Sequence, residues 1–306
     1  MSSPFGPLTL IADLSEASGG VPRELPGIEQ KLQSMGLDTK VIRAETPRHC
    51  ERAARDALYS GDRFLAAVGA DRAVHHVANG LFEDGHPIHP EAVLGVIPVG
   101  VPSDFVRTFG LPTDAGRACD HLAGERFFPI DAGTVSAGPG GSAVRRTFVN
   151  IAEVGLGASI VRRMDRLPGA LGRGRRFLAF WLALAAFRLT HVRLTGDRRT
   201  WEGSIHDLVV ANGQYQGDGL RISPRSWPDD GYLDVLVMKG PRSDAFTMLP
   251  KTPLGEHVPH PNIVEYRSRT LRVESERPLW VHADGQLVGT TPATFEVVPK
   301  AIRLKI

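Results

Sequence analysis

The chain has 306 residues, 42% of them hydrophobic and 23% charged, and a formal net charge of +2. That length exceeds what one hydrophobic core ordinarily organises and implies two domains of common size. Near-average composition excludes a disordered or fibrous chain, and the small net charge gives no ground for a nucleic-acid partner. Only Cys50 and Cys119 are present, each in a helix-like segment, so a disulfide framework is not expected and a reducing cytoplasm is. The opening MSSPFGPLTLIADLS lacks the basic region and apolar stretch of a secretion signal, and no run reaches the ~20 apolar residues of a membrane span.

From Leu8 to about Asp131, strand and helix patterns alternate. Leu8–Ala12, Thr39–Arg43, Arg63–Gly69 and Ala92–Pro98 are short apolar runs that predict strands. Glu24–Met35, Pro47–Tyr59 and Arg72–Phe82 carry helical periodicity; Thr46-Pro47 is a start signal, and Gly36 and Gly61 stand where helices stop. Such alternation means a parallel sheet covered on both faces, with ligands beyond the C-terminal strand ends. Asp71, after Gly69-Ala70, and Asp104, after Gly100 and Ser103, both fall there. An apolar strand ending in Gly and then Asp has the outline of a phosphate loop, where Gly lets the backbone approach and the next helix offers N–H groups.

After Gly133 the pattern changes. Ser136–Ser142 (SAGPGGS) reads as a loop or hairpin tip. Period-two runs follow at Thr147–Ala152, Thr200–Asn212, Tyr232–Lys239, Thr270–Glu274, Leu279–Ala283 and Phe295–Val298, predicting a mainly antiparallel β domain. A helical insert, Arg173–Leu189, holds the apolar run Phe177–Phe187, which is too short to span a bilayer. The expected division is 1–132 and 133–306, with the final strands free to return toward the first domain.

In this order the segments resemble the bacterial diacylglycerol kinase and sphingosine kinase family along nearly the whole chain. Gly69-Ala70-Asp71-Arg72-Ala73, with Asn79-Gly80 downstream, is similar to that family's G-G-D-G-T loop and following helix. Pro98-Val99-Gly100-Val101-Pro102-Ser103-Asp104-Phe105-Val106-Arg107 resembles its P-x-G-T-G-N-D-F-A-R loop, and Ile130-Asp131-Ala132-Gly133 its I-D-x-G. Phe148–Ala152, Val154–Ala158, Val209–Gly213, Pro228–Val235 and Ala283–Gln286 complete the series. The resemblance implies an N-terminal three-layer α/β domain of Rossmann-like, NAD kinase type, plus a β-sandwich-like domain that helps form a lipid site.

The activity implied is transfer of the γ-phosphate of ATP to a hydroxyl of a diacylglycerol-like lipid, with Mg²⁺ as cofactor. By resemblance Asp71 and Asp131 organise Mg²⁺, directly or through water, and Asp284 is the general base. Gly69, Arg72, Gly100, Ser103, Asp104 and Arg107 would bind the nucleotide, and Asp229, Asp230 and the Tyr232 carbonyl would hold a separate structural cation. Each has a plainer reading. Asp71 could cap the helix beginning at Arg72, a contribution of ~1 kcal/mol; Asp104 could cap a short helix with Arg107 as its i+3 partner. Asp284-Gly285 and Asp229-Asp230-Gly231 could be only turns.

The departures bear on activity. Ala70 and Arg72 put side chains where the family has Gly. Ala73 and Val101 remove hydroxyls, Pro102 deletes an N–H, and Ser103 replaces an amide. Asp13-Leu14 stands where the family has Asn-Pro, bringing negative charge toward a polyanion, and Gln286 replaces a Glu. A lost hydrogen bond to a charged group costs ~1.5–3 kcal/mol, against the ~4–8 kcal/mol of millimolar to micromolar ATP binding. The sequence therefore supports a lipid kinase and, as a rival, a pseudokinase that binds a lipid or a protein partner without transfer. Arg162, Arg163, Arg166, Arg173, Arg175 and Arg176, within residues 162–176, either form a solvated edge or attract anionic headgroups at the inner face of the membrane. A homodimer is left open. His75, His76, His86 and His89 lack zinc-ligand spacing, and His86–Pro90 reads as a surface loop.

Overall fold

A computed structural model of the chain describes residues 3–15, 20–100, 103–139, 144–172 and 174–306. The chain forms two compact units: Met1–Ala132 with Pro228–Asp230 and Val298–Ile306, and Gly133–Trp227 with Gly231–Val297. Val101, Pro102, Arg173 and the centre of the Gly/Ser loop lie outside the described residues.

The first unit begins with β1 (Leu8–Asp13), α1 (Gly20–Ser34), β2 (Thr39–Ala44), α2 (Pro47–Tyr59), β3 (Phe64–Gly69) and α3 (Asp71–Gly80). A small hairpin, β4 (Phe82–Glu83) and β5 (His86–Pro87), stands where a plain surface loop was expected. β6 (Val93–Pro98), α4 (Asp104–Phe109), α5 (Ala115–Leu122) and β7 (Phe127–Ala137) follow. α1 starts before the expected Glu24 because Val21, Leu25, Ile28 and Leu32 form one buried stripe, which outweighs the cost of Pro26 inside the helix. Thr46 caps α2 by accepting the His49 N–H at 3.2 Å.

The parallel strands run β2-β1-β3-β6, and the end of β18 (Ala293–Lys305) lies parallel to β6 through Arg303 and Leu304. β1, β3 and β6 are buried along their whole length, as strands covered on both faces must be. The chain leaves β1 toward β2 on one side and then returns past it to β3 on the other. The topological switch point therefore falls between the ends of β1 and β3.

The second unit contains β8 (Val144–Phe148), β9 (Ile151–Gly155), α6 (Leu156–Met164), α7 (Gly174–Ala186), β10 (Thr190–Gly196), β11 (Thr200–Ile205), β12 (Asp207–Ala211) and β13 (Leu233–Met238). Then come α8 (Asp244–Met248), a 3₁₀ turn (Leu249–Leu254), β14 (Ile263–Ser268), β15 (Thr270–Ser275), β16 (Trp280–Ala283), β17 (Gln286–Thr290) and the first part of β18. One antiparallel sheet has the order β14-β13-β12-β9-β16-β17; in the other β11, β10, β15 and β18 pair in turn. Their facing sides share a core that includes Phe148, Val154, Leu194, Ile205, Val210, Val273 and Phe295. Two runs read as continuous from sequence are broken: Thr147–Ala152 divides between β8 and β9, and Thr200–Asn212 between β11 and β12 in different sheets.

α2 and α3 pack closely because Gly80 has no side chain: a Cβ there would lie 2.3 Å from the Glu51 carbonyl oxygen. Gly80→Ala should destabilise the chain by about 3 kcal/mol through overpacking, despite alanine's higher helix propensity. A lowered thermal unfolding midpoint in calorimetry checks this.

Candidate functional site

Three loops of the first unit reach the C-terminal edge of its sheet. The chain at Gly69 has φ +147°, and a Cβ there would lie 2.8 Å from the Ala73 Cβ and 3.6 Å from the Asp13 Cβ, so only glycine fits. A Cβ on Gly20, at the start of α1, would come within 3.6 Å of the Gly100 Cα. The ends of β1, β3 and β6 and the starts of α1 and α3 therefore share one locality.

Asp71 binds the loop after β6. Its Oδ2 accepts the Asp104 N–H at 2.8 Å, and its Oδ1 accepts the Phe105 N–H at 3.1 Å and the Ser103 hydroxyl. It thus satisfies the opening amides of α4 and is not the N-cap of its own helix: α3 begins at Asp71, after Ala70, which supplies no side-chain cap. Nor is Asp104 the cap of α4. Ser103 is, accepting the Val106 N–H at 3.1 Å, while Asp104 is buried in the first turn and Arg107 is exposed further along the helix.

Arg72 and Asp13 hold each other across the switch point. The Arg72 Nε lies 3.4 Å from the Asp13 Oδ2, and its Nη2 donates to the Ser15 hydroxyl at 2.8 Å. The Ser15 N–H donates to the Asp13 Oδ1 at 2.9 Å, and its hydroxyl reaches the same oxygen. The negative charge of Asp13 is thus directed at Arg72. Burial first, and then the Asp13 charge, push the nearby Cys50 thiol up to about 12, which keeps it protonated and inert.

Asp131 is fully buried on β7. Its N–H donates to the Pro228 carbonyl and its Oδ1 accepts the Lys300 N–H, both at 2.7 Å, which places it with two later segments of the first unit. Asp229 and Asp230 belong to that unit and Tyr232 to the second. The Asp229 Oδ1 is buried without a hydrogen-bond partner, a state that a cation would relieve. Among the described residues no group of three or more His, Cys, Asp or Glu side chains is placed to hold a metal.

In the second unit, Asp284 sits at φ +46° in the turn between β16 and β17, followed by Gly285 at φ +77°. It is a hairpin residue, but its carboxylate also accepts three amides: Val149 N–H on Oδ2 at 2.9 Å, and Asn150 and Ile151 N–H on Oδ1 at 3.0 Å. Three backbone donors fix its orientation. Asn212 continues the bracing by donating from Nδ2 to the Val149 carbonyl at 2.9 Å.

A buried polar cluster lies beside this turn. The Glu153 Oε2 receives the His282 Nε2 at 2.6 Å and the Gln216 Nε2 at 2.7 Å. Glu153, Gln216 and Asp207 line a cavity of about 190 Å³ whose walls include Leu156, Ile160, Phe180, Leu184, Leu220 and Met248. Burial, reinforced by the Glu153 charge, holds the Asp207 carboxyl well above the ordinary carboxylate range, although the Gly157 N–H donates to its Oδ2 at 3.0 Å. Sequence reasoning did not single out this cavity or its acids. A signal was present: Glu153 and His282 interrupt otherwise apolar strands that are buried throughout or nearly so.

The basic segment beside the cavity is partly committed within the protein. The Arg162 guanidinium lies 4.4 Å from the Trp280 ring centroid, Arg175 donates to the Met164 carbonyl, and Arg176 pairs with Asp218 at 3.2 Å. Next to it Phe177, Leu178 and Leu182 of α7 and Phe246 of α8 are exposed, with Trp181 and Phe246 ring centroids 5.0 Å apart.

Two family models match this chain. That of the diacylglycerol kinase catalytic domain covers residues 7–135, and that of the YegS C-terminal NAD kinase beta sandwich-like domain covers residues 150–306. The chain belongs to the diacylglycerol kinase family. It is 26% identical over 276 residues to the diacylglycerol kinase of Bacillus subtilis strain 168, covering 89% of this chain and 87% of that protein. A crystal structure from Bacillus anthracis strain Sterne, described as a candidate diacylglycerol kinase, superposes with a TM-score of 0.78 at 22% identity over 99% of this chain and 98% of that one. Yeast NADH kinase complexed with NADH has the same fold, with a TM-score of 0.58 at 10% identity over 97% of this chain and 82% of that one. Membership in this lipid kinase family agrees with the two-unit fold, one unit built on parallel strands and the other on antiparallel strands. Among the described residues no helix is long and apolar enough to cross a membrane.

His206 and His257, on the cavity wall, donate from Nε2 to the Gly240 carbonyl at 2.7 Å and the Ile222 carbonyl at 3.1 Å. Burial lowers both below the ordinary 6.5. The unfolded chain takes up protons that the folded unit refuses, so their contribution to stability is present above 6.5 and lost as pH falls through the depressed values. Thermal unfolding midpoints should fall between about pH 7 and pH 5, and fall less in a His206→Asn/His257→Asn variant.

Proposed function

We propose that this chain is an ATP-dependent lipid kinase, transferring the γ-phosphate of Mg–ATP to a hydroxyl of a diacylglycerol-like lipid. The observation that carries the lipid half is the apolar cavity of the second unit, bordered by exposed aromatic side chains on α7 and α8. Such a cavity suits an acyl chain, which an aqueous sugar or nucleoside acceptor lacks. The donor half rests on the switch point of the parallel sheet, where open α/β folds bind phosphorylated ligands. There Gly100 is exposed after β6, Gly69 is buried against Ala73 and Asp13 at the end of β3, and Ser103, Asp104 and Arg107 stand at the adjoining helix.

Mg²⁺ bound with the nucleotide would supply charge neutralisation at its phosphate oxygens. Both oxygens of Asp71 are engaged by donors from residues 103–105, which suits it to ordering the loop and to contacting a metal-bound water. Asp131 supports the same role from a fully buried position, while Asp229, whose Oδ1 is buried without a hydrogen-bond partner, would with Asp230 hold a separate structural cation. In the transfer, the acceptor hydroxyl gives its proton to Asp284, its oxygen bonds to the γ-phosphorus, and the bond to the β–γ bridging oxygen breaks to release ADP. The three amides on Asp284 hold the carboxylate in place for this step.

A second reading, a pseudokinase that binds lipid without transfer, is favoured by the side chains of Ala70, before α3, and Arg72, in its first turn. Steady-state turnover of ATP with a panel of lipid alcohols separates the two. Diacylglycerol-dependent ADP release is expected, and Asp284→Asn should lower kcat at least ~100-fold while Mg–ATP still binds. Equal turnover in the variant would remove the base, and no response of the wild type to Mg–ATP in calorimetry would favour the pseudokinase.

The same reading places the protein on the inner face of the membrane through α7, α8 and the Arg-rich residues 162–176. Phe177 and Phe246 are 65% and 64% exposed, and cations beside such an apolar face attract anionic lipid by ~1 kcal/mol each. Sedimentation with phosphatidylglycerol vesicles should exceed that with phosphatidylcholine vesicles, weaken in salt, and fall in Phe177→Glu/Phe246→Glu.

A further inference from the structure

A second cavity of the second unit, of about 250 Å³, is lined by three arginines from separate parts of the chain. Arg163 stands on α6, Arg188 follows α7 and Arg277 precedes β16. Arg163 belongs to the basic segment 162–176, but the fold groups it with two cations from outside that segment. We infer that this cavity is a binding site for a phosphate monoester, either free or as the headgroup of a lipid. The inference is independent of the ATP reading, since every lining residue belongs to the second unit.

The first support is the charge balance. Among the described residues no acidic side chain lines the cavity, and none of the three arginines is ion-paired. Their acidic neighbours in sequence, Asp165 and Glu276, are exposed and pair with none of them. Like charges gathered around one space repel each other, and a monoester carrying about two negative charges relieves this better than a diester. Phe187 and Leu279, both buried, form an apolar border that strengthens such attraction by excluding water.

The second support is the state of the donors. The Arg163 Nε is buried and makes no hydrogen bond. A buried cationic N–H without an acceptor is costly, and phosphate oxygens match the planar fork of a guanidinium. Arg277 is held by one edge: its Nη2 donates to the Leu189 carbonyl at 2.9 Å and to the Thr190 hydroxyl at 3.0 Å. Its Nε and Nη1 make no hydrogen bond among the described residues.

Basic side chains near the end of a helix commonly serve its last carbonyls. Arg242 fills that role here, donating from Nη1 to the Ala185 carbonyl at 3.0 Å and from Nη2 to the Phe187 carbonyl. Arg163 and Arg188 donate from their side chains to neither. Arg162 shows the other ordinary fate of such a residue, stacked 4.4 Å from the Trp280 ring centroid.

The test is calorimetric titration of the full-length protein, at constant ionic strength, with inorganic phosphate and with dihexanoyl phosphatidic acid below its micelle concentration. Saturable binding is expected, weakened about tenfold or more in Arg163→Gln and in Arg188→Gln, the loss of one hydrogen bond to a charged group. Arg163→Lys should recover only part of the loss. Arg198→Gln removes the same charge from the exposed turn between β10 and β11 and should leave binding unchanged. Equal affinity for the two probes supports a site for free phosphate. Tighter phosphatidic acid, weakened by the same variants, supports a headgroup site. The Arg163 guanidinium makes no hydrogen bond among the described residues, so Arg163→Gln should fold at least as well as the wild type. Phosphate should then raise the thermal unfolding midpoint of the wild type and not that of the variant. Three results would overturn the inference: saturable binding of neither probe, binding left whole by Arg163→Gln and Arg188→Gln, or an equal loss in Arg198→Gln, which marks diffuse attraction. ATP turnover is read separately, so the kinase reading stands or falls without this site.

Discussion

The carboxylate of Asp71 joins the segments that follow two strands adjacent in space, although its partners lie 32 to 34 residues away in sequence. It leaves the loop after β3 and takes the Ser103 hydroxyl and the first amides of α4, which follow β6. Charge-assisted hydrogen bonds of this kind are about twice as strong as neutral ones, and removing the acceptor would strand three donors. The loops that would face a phosphate are therefore held in register by a group that need not touch the phosphate itself. That constraint explains how the site's outline persists although much of its glycine has been replaced.

Much of the fold could be read directly from the chain. Fully buried strands such as Phe64–Gly69, alternating with helices that carry one apolar stripe, leave few arrangements other than a covered parallel sheet. Boundaries were less legible where an interaction distant in sequence decides them. Val149 and Asn150 leave the ladder between β8 and β9 because their amides point at Asp284. His206 separates β11 from β12, and its N–H is taken by the Met238 carbonyl.

The candidate site was legible in its parts and illegible in its pairings. Asp13 read as a charge in the wrong place and Arg72 as a bulk in the wrong place, because a linear string does not show that the ends of β1 and β3 are neighbours. The buried acids of the second unit were hidden for a related reason. Glu153 is one charge in an apolar strand until the sheet order brings His282 beside it. Single-residue signals are weak evidence for chemistry when their meaning depends on a partner.

Glycines in this chain fall into two kinds that a motif does not distinguish. Gly80 is required by the carbonyl of Glu51 pressed against it, so its survival is enforced by helix contact whatever the protein binds. The positions now held by Ala70, buried at the bend before α3, and Arg72, half-buried in its first turn, carry side chains that the fold accommodates. In a lineage whose ligand changes, the first kind will persist and the second will drift. The glycine at position 80 therefore reports on how α2 and α3 pack and carries no information about a ligand.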